Sequence, residues 1–294
     1  MVIVKKKIVG KKTYYYLQHT IRTKKGVIAK EKYLGTTSPK ELEAAKAAFL
    51  SEIYKTRWYG KLDRIKENYE EEQQKTPKSI LEKQARIFSV KFTYDTNRIE
   101  GSKLTYRETS DLLEKGLTPS SKPVEDIKEA EAHEKLFYEI LQYKKELTSQ
   151  IILQWHKKLF ETTKPDIAGV VREYQVAISG SKFTPPSPIE TAILFNEFFK
   201  WYNHNKSTLH PVELAALVHL KFVTVHPFGD GNGRISRLLM NFVLNKHGFP
   251  LLNIPYENRN SYYTALERSQ VKEQDHIFTQ WFVKKYIETY KNYC

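Results

Sequence analysis

The stretch His226–Arg237 reads HPFGDGNGRISR, and it follows the apolar run LAALVHLKFVTV at 214–225. An apolar pattern resumes at once with RISRLLMNFVL at 234–244. Three of the 12 glycines of the chain lie between Gly229 and Gly233. Because glycine permits backbone conformations and close approaches that a Cβ atom prevents, this pattern predicts two buried helices joined by a loop that approaches a ligand closely.

The polar groups of this loop suit phosphoryl or nucleotidyl transfer. Backbone amides at a helix start near Asn232 would carry partial positive charge, which favours phosphate binding. Arg234 and Arg237 are three residues apart, hence on one helix face, and we expect both to reach the same anion. Asp230 offers a hard oxygen ligand for Mg²⁺. His226 would serve as a general base near neutral pH.

The composition indicates a folded protein. The chain has 294 residues, of which 40% are hydrophobic and 13% aromatic, enough for one sizeable core with an appendage or for two modest domains. It contains no apolar run of membrane-spanning length and no secretory leader, and its only cysteine is Cys294. We therefore expect a cytoplasmic protein without membrane contact or intrachain disulfide.

The first 36 residues form a distinct basic segment. Period-two alternation in VIVKKKIV, TYYYLQHTIR and VIAKEKYL predicts a small three-stranded antiparallel sheet. Residues 1–36 hold ten Lys and Arg against Glu31 alone, which is +9 of the net charge of +14. This charge fits either a solvated surface or a patch that contacts nucleic acid or an acidic protein. Lysines interleaved with Tyr14, Tyr15, Tyr16 and Tyr33 suit backbone contact combined with base stacking.

From Ser38 onward the pattern is helical. Ser38 and Glu41 form a predicted capping box that opens a helix through about Trp58, and Thr105 with Glu108 form a second box. Gly116 would end that second helix. Three-to-four-residue apolar spacing predicts further helices at 124–144, 149–161, 188–203, 211–225, 232–247 and 275–291. We expect three regions, namely a basic sheet module at 1–36, a connecting helix or linker at 37–75 and the helical domain at 76–294.

The segment VVREYQVAISGSKFTPPSP at 170–188 interrupts this helical pattern. Two short extended runs flank Ser179, Gly180 and Ser181, and prolines end the segment. We predict a β-hairpin or flap within the helical domain.

Generic nucleotide-binding motifs do not explain the glycine-rich loop, since the chain holds no P-loop and no Rossmann fingerprint. The loop instead resembles the H-x-F-x-[D/E]-G-N-G-R-x-x-R signature of Fic-domain proteins, and every fixed position matches. The flanking LHPVELAALVHLKFVTVHPF, RLLMNFVLNKHGFP and NRNSYYTALE are also similar to that family, so the resemblance covers about residues 80–290. It implies a mainly α fold, a Fic helical bundle with a β-hairpin flap.

The resemblance further implies transfer of AMP from ATP to a Tyr, Thr or Ser hydroxyl of a target protein, or of the protein itself. His226 would take the hydroxyl proton and Asp230 would hold Mg²⁺. Arg237 would pair with the γ-phosphate, and Phe228 would anchor the loop. The remaining site residues implied are the phosphate-binding Gly231, Asn232, Gly233 and Arg234, the target-docking flap residues Val176, Ile178, Ser179, Gly180 and Ser181, and Tyr262 and Tyr263 near the adenine.

A second motif, TNRIEG at 96–101, matches the inhibitory [S/T]-x-x-x-E-[G/N] pattern found before the core of many Fic proteins. The match implies that Thr96, Glu100 and Gly101 form a brake in which Glu100 pairs with Arg237. Because that guanidinium should orient the γ-phosphate, ATP would bind with its α-phosphate turned away from in-line attack. A plain helix end with a glycine C-cap is the simpler interpretation of the same residues.

Alternative functions remain open from the sequence. In some relatives the inhibitory glutamate positions water, which would make the chain a de-AMPylase dependent on Glu100. Other nucleotide donors or phosphocholine transfer are conceivable within the family, although the intact G-N-G segment favours ATP. A different class of function would be a nucleic-acid-binding or protein-binding module built on the basic N-terminus. A homodimer is compatible with all of these.

Overall fold

The computed structural model describes residues 2–23, 26–36 and 42–294. The chain divides into two compact units, Met1–Asp63 and Arg64–Cys294. The predicted fold class is confirmed, since the protein is mainly helical with one small antiparallel sheet. Within the described ranges, no helix combines the length and apolar character needed to cross a membrane.

The first unit contains the predicted sheet, with strands β1 (Val2–Val9), β2 (Lys12–Thr23) and β3 (Gly26–Gly35) in the order β1-β2-β3. Both strand pairs are antiparallel. Alternation places Leu17 and Ile21 on the buried side, and helix α1 (Leu42–Tyr54) contacts β2. The predicted capping box at Ser38 and Glu41 lies outside the described residues.

The helices of the second unit are α2 (Gly60–Lys75, which begins in the first unit), α3 (Lys78–Ile99), α4 (Tyr106–Lys115), α5 (Val124–Gln142), α6 (Ser149–Phe160), α7 (Pro188–Asn205), α8 (Pro211–Val225), α9 (Asn232–Lys246), α10 (Arg259–Val271) and α11 (Asp275–Thr289). Six of them confirm the ranges predicted from apolar spacing, within a few residues at each end. The sequence analysis did not predict α10, because its first turn, RNSY, is polar and gives no apolar periodicity.

Helices α8 and α9 form the centre of the second unit and carry the predicted loop between them. Both are buried along most of their length, and Leu214, Ala215, Phe222, Ile235 and Leu239 are fully buried. A helix that is apolar on all sides must be enclosed by others, and α8 packs against α7, α9 and α11. This packing fixes both ends of the loop inside a rigid core.

The two ends of α4 have the capping residues that the sequence predicts. The Thr105 side chain accepts a hydrogen bond from the Glu108 amide at 3.2 Å, and the Glu108 carboxylate accepts one from the Thr105 amide at 2.8 Å. Gly116 ends the helix in the left-handed conformation at φ 68°. This capping box and its glycine stop are therefore confirmed.

The predicted β-hairpin at 170–188 is wrong as a secondary structure, because the segment has no paired strands in the described structure. A turn at Ser179–Gly180 is closed by the Ser181 amide, which donates to the Ile178 carbonyl at 3.1 Å. Hydrogen bonds from one side chain take the place of the hydrogen bonds between paired strands. Buried Arg172 donates to the carbonyls of Tyr174 and Pro186 at 2.9 and 2.6 Å. Proline has no amide hydrogen to donate, so the second arm cannot complete a strand pair.

Candidate active site

His226 ends α8 in the left-handed conformation, at φ 51°. Its Nδ1 lies 3.1 Å from the Val223 carbonyl oxygen. A carbonyl only accepts, so Nδ1 must carry the hydrogen and Nε2 must carry the lone pair. Burial lowers the pKa of His226 below its usual 6.5. At neutral pH the side chain is therefore an uncharged base.

The loop after His226 is held by its own side chains. Asn232 Oδ1 accepts from the Phe228 amide at 2.9 Å, and Asn232 Nδ2 donates to the Phe228 carbonyl at 2.8 Å. The Phe228 ring is fully buried and stacks on His156, with centroids 3.7 Å apart and planes inclined by 13°. The structure thus places the side chain of Asn232 inside the loop, as a clamp.

Sequence reasoning missed His156, which fixes the other side of the loop. Its Nδ1 accepts from the Gly169 amide at 2.9 Å, so Nε2 carries the hydrogen and donates to the Asp230 carbonyl at 3.0 Å. Burial lowers the pKa of His156 to about 4, which keeps the ring neutral. A lone histidine on an apolar helix gives no sequence signal for this role.

Removing the Phe228 ring should destabilise the protein strongly. Because Phe228 is fully buried between His156 and neighbouring aromatic rings, we expect Phe228→Ala to lower the free energy of unfolding by about 3–5 kcal/mol. Urea denaturation followed by circular dichroism would measure it. Ile189→Ala, at a side chain 78% exposed, should cost under about 0.5 kcal/mol. Equal losses in the two variants would contradict the anchoring role.

The loop glycines sit where side chains would collide. A Cβ on Gly231, which has φ 79°, would lie 2.3 Å from the Phe160 ring. A Cβ on Gly233 would lie 2.2 Å from Glu100 Oε1 and 3.1 Å from an Arg237 nitrogen. The first turn of α9 therefore lies directly against the Glu100 carboxylate, with no room for a side chain between them.

The guanidinium of Arg237 is almost completely buried and donates to the predicted inhibitory segment and to Tyr262. Nη2 donates to Glu100 Oε1 at 2.5 Å and to the Thr96 carbonyl at 3.3 Å, while Nε donates to Thr96 Oγ1 at 3.3 Å. Nη1 donates to the Tyr262 hydroxyl at 3.1 Å. Burial opposes the charge, but Tyr262 and Glu100 outweigh it and raise the pKa of Arg237.

The segment Thr96–Gly101 also satisfies the simpler interpretation as a helix end. Gly101 has φ 103°, and the Ser102 amide donates to the Asn97 carbonyl at 3.0 Å, which closes the end of α3. The helix end thus presents Glu100 to Arg237, 137 positions later in the chain. The two interpretations describe the same geometry.

The two loop arginines pair with different carboxylates in the structure. Arg234 is buried and pairs with Glu129, while its Nη2 lies 3.2 Å from Asp230 Oδ1. Arg237 pairs with Glu100 instead. Each guanidinium is held by a carboxylate from a different helix, so packing rather than helix spacing determines what each one contacts.

Asp230 forms a charged cluster with Lys164 and Arg234. Lys164 Nζ lies 2.5 Å from Asp230 Oδ2 and 3.2 Å from Glu129 Oε1. Burial would raise the pKa of Asp230, but Arg234 and Lys164 overcome this and hold it at about 2. The carboxylate is therefore ionised at all physiological pH values.

Two cavities contain most of the predicted site residues, but Val176, Phe228, Gly231 and Asn232 line neither of them. The larger, of about 510 Å³, is lined by His226, Gly233 and Arg237 together with both predicted adenine residues and the turn of the flap, namely Tyr262, Tyr263, Ile178, Ser179, Gly180 and Ser181. The smaller, of about 160 Å³, is lined by Asp230, Arg234, Lys164 and Glu129. Glu100 lines both cavities.

A complete protein cage for a metal is not present in the described ranges, where no three His, Cys, Asp or Glu side chains cluster suitably. Mg²⁺ in nucleotide sites needs only one or two carboxylates, because phosphates and water supply the other ligands. The ionised Asp230 fits that requirement once Lys164 moves off its Oδ2 oxygen. The donor set therefore suits a metal that arrives with a nucleotide.

Residues 146–244, which include the loop, the flap and most of both central helices, match the model of the Fic/DOC family. This region is similar to Fic/DOC domains. The curated relatives of the chain include the protein adenylyltransferase Fic of Drosophila yakuba, 38% identical over 178 residues, and that of Drosophila melanogaster, 37% identical over the same length. The match covers 59% of this chain and 36% of each relative, so the chain spans about a third of their length.

Solved Fic structures share the fold. A Fic domain containing signaling protein from Bacteroides thetaiotaomicron is 28% identical with a TM-score of 0.72, over 79% of this chain and 94% of that one. A fragment of Fic-1 from C. elegans is 27% identical with a TM-score of 0.70, over 86% of this chain and 75% of that one. The helical arrangement around the site is therefore that of the Fic fold.

Proposed function

We propose that the chain is a protein adenylyltransferase, which moves AMP from ATP to a Tyr, Thr or Ser hydroxyl of a target protein, and that Glu100 restrains it. One observation carries the proposal. His226 and Arg237 line one cavity, and the Glu100 carboxylate forms an ion pair with the Arg237 guanidinium there. The Fic/DOC domain and the names of the curated relatives point to the same reaction.

The residues divide the chemistry between them. The unprotonated Nε2 of His226 takes the proton as the target hydroxyl oxygen bonds to the α-phosphorus, and the bond from that phosphorus to the bridging oxygen breaks to release pyrophosphate. The amides of Gly231, Asn232 and Gly233, at the start of α9, receive the phosphates. Arg237 receives the γ-phosphate after Glu100 leaves it, because one guanidinium cannot bind both anions through the same nitrogens.

Mg²⁺ would enter with ATP and neutralise phosphate charge during the transfer. Asp230 would hold it, since this carboxylate is ionised and lies beside the phosphate-binding turn. Arg234 keeps Asp230 in place through its contact with Oδ1 and is itself held by Glu129. Its proposed role is therefore to orient the metal ligand.

We also propose that the flap positions the target. Ile178, Ser179 and Gly180 line the same cavity as His226, and the extended arm that begins at Val176 has no strand partner within the described residues. An extended target segment that pairs with this arm would carry its hydroxyl toward His226. Tyr262 and Tyr263, which line this cavity as well, would border the adenine.

A second function, removal of AMP from a modified protein, is favoured by the position of Glu100 between the two cavities. A carboxylate there could orient water toward a phosphorus bound near His226. A target already carrying AMP would lose it only when Glu100 is intact. Unchanged loss in a Glu100→Gln variant would exclude this function.

The test of the transferase proposal is intact-protein mass spectrometry of Glu100→Gly after incubation with ATP and Mg²⁺. An AMP adduct on a Tyr, Thr or Ser of the protein or of an added target supports it. Fragment spectra would distinguish AMP from phosphate. A transferred phosphate in place of AMP would overturn the assignment of AMP as the transferred group.

The pH dependence should follow the His226 imidazole. Its pKa lies below 6.5, so the neutral base is present at pH 6.5 and above and is lost as pH falls through the lower pKa. We expect an AMP-transfer rate that is flat from pH 6.5 to 8 and declines in more acidic buffer. Glu100 raises the pKa of His226, so Glu100→Gly and Glu100→Gln, which both lack that negative charge, should have coincident acidic limbs that lie at lower pH than the limb of the unmodified protein.

A further inference from the structure

The three-stranded sheet of the first unit has two chemically different faces. On one side Val2, Leu17 and Ile21 are buried. Successive residues of a strand point to opposite sides of a sheet, so the residues that alternate with these lie on the other side. There Lys5 is the register partner of Tyr16, and Tyr16 is the register partner of Tyr33. We name this side the outer face, and it consists of Ile3, Lys5, Lys7, Tyr14, Tyr16, Gln18, Glu31 and Tyr33.

Tyrosine rings form a continuous row across the outer face. The Tyr33 ring lies 5.2 Å from the Tyr16 ring and 6.2 Å from the Tyr14 ring, measured between centroids. Tyr33 is 52% exposed. Lys7 Nζ lies 4.4 Å from the centroid of Tyr16. The Tyr33 and Tyr16 ring planes are inclined by 46°, and Lys7 covers Tyr16, so Tyr33 presents the exposed aromatic face next to a cation.

Glu31, the single acidic residue of the first 36, binds Lys5 and Lys7 of the outer face. Glu31 accepts from Lys7 Nζ at 2.8 Å and from Lys5 Nζ at 3.3 Å. It also accepts from Gln18 Nε2 at 3.0 Å, which fixes its position across the sheet. One carboxylate between two lysines leaves a net positive charge, and the whole segment 1–36 carries ten Lys and Arg against this one acid.

We propose that the outer face binds single-stranded nucleic acid. A base would stack on Tyr33, while Lys5 and Lys7 contact the adjacent phosphates. Single strands expose the faces of their bases, whereas a duplex hides them in its own stack, so the tyrosine row selects against duplex. An acidic protein could satisfy the lysines but would gain nothing from a stacking surface. This proposal does not depend on the adenylyltransferase activity.

The test is fluorescence anisotropy of the full chain with labelled oligouridine and oligothymidine of about 12 nucleotides, a length within the usual site size. Tyr33→Ala should weaken binding of both probes by roughly tenfold, the loss expected for one stacked base. Lys7→Gln should weaken binding and reduce the slope of log affinity against log salt by roughly 0.7. Preference for one probe would show whether RNA or DNA is the ligand.

Matched controls exist in the second unit. Tyr106→Ala removes a tyrosine that is 43% exposed and also has a lysine over its ring, and Lys78→Gln removes a highly exposed lysine. Neither should change affinity. Equal binding of duplex, of polyglutamate or of the Tyr33→Ala variant would overturn the proposal, as would absence of binding at low salt. Circular dichroism of each variant separates a lost contact from a lost fold.

Discussion

Glu100→Gly is expected to raise AMP transfer by on the order of 10²-fold, the scale of rate that misplacement of reacting groups costs. The substitution removes the carboxylate that lies 2.5 Å from Arg237 Nη2 and directly above Gly233. The freed guanidinium can then receive the γ-phosphate, and the first turn of α9 becomes accessible to the neighbouring phosphates. Incorporation of α-labelled ATP into protein, measured as an initial rate, would show the increase.

Two variants make this result specific to the ion pair. Glu100→Gln keeps the size of the side chain but removes its charge, so it should activate less than glycine and more than the unmodified protein. Glu273→Gly removes an exposed carboxylate near a helix end with a positive φ of 51°, and it should leave the rate unchanged. If Glu100→Gly transferred AMP no faster than Glu273→Gly, the brake assignment would be wrong.

His226→Ala in the Glu100→Gly background is expected to lower AMP transfer by about 10²–10⁴-fold, the usual contribution of a general base. The imidazole offers an unprotonated Nε2 because Nδ1 donates to the Val223 carbonyl. Nucleotide binding should persist, since His226 is not among the proposed phosphate ligands. Radiolabel transfer and calorimetric titration with a non-hydrolysable ATP analogue measure the two effects separately.

The matched control for His226 is a second half-buried histidine, His247, which lies beyond the end of α9. His247→Ala should not alter the rate of AMP transfer. A His226→Ala variant that retained the rate of its parent would remove the general base from the mechanism. A variant that lost nucleotide binding as well would assign His226 to the nucleotide-binding residues instead.

Local patterns in the sequence predicted much of the fold because their physical causes are local. The capping box joins Thr105 to Glu108, three positions apart, and the apolar spacing of 211–225 reflects a single helix. The glycines of the loop likewise predicted a close backbone approach. At Gly233 a Cβ atom would collide with Glu100 Oε1, so only glycine permits that approach. The pairing of Glu100 with Arg237 came from family resemblance, since spacing alone cannot join residues that far apart.

Only the tertiary structure decided which group each charged side chain contacts. Arg234 and Arg237 share a helix face by spacing, yet Arg234 binds Glu129 and Arg237 binds Glu100. The flap was predicted as a hairpin from its extended runs, but buried Arg172 bridges its two arms in place of a strand ladder.

The sequence by itself determined the helices, the basic three-stranded sheet and the glycine-rich loop, because periodicity, capping and backbone freedom act between neighbouring residues. The tertiary structure decided that Glu100 lines both cavities and that His156 fixes the loop through the Asp230 carbonyl. Such contacts join residues far apart in the chain. Their formation depends on how the helices pack, which no local pattern encodes.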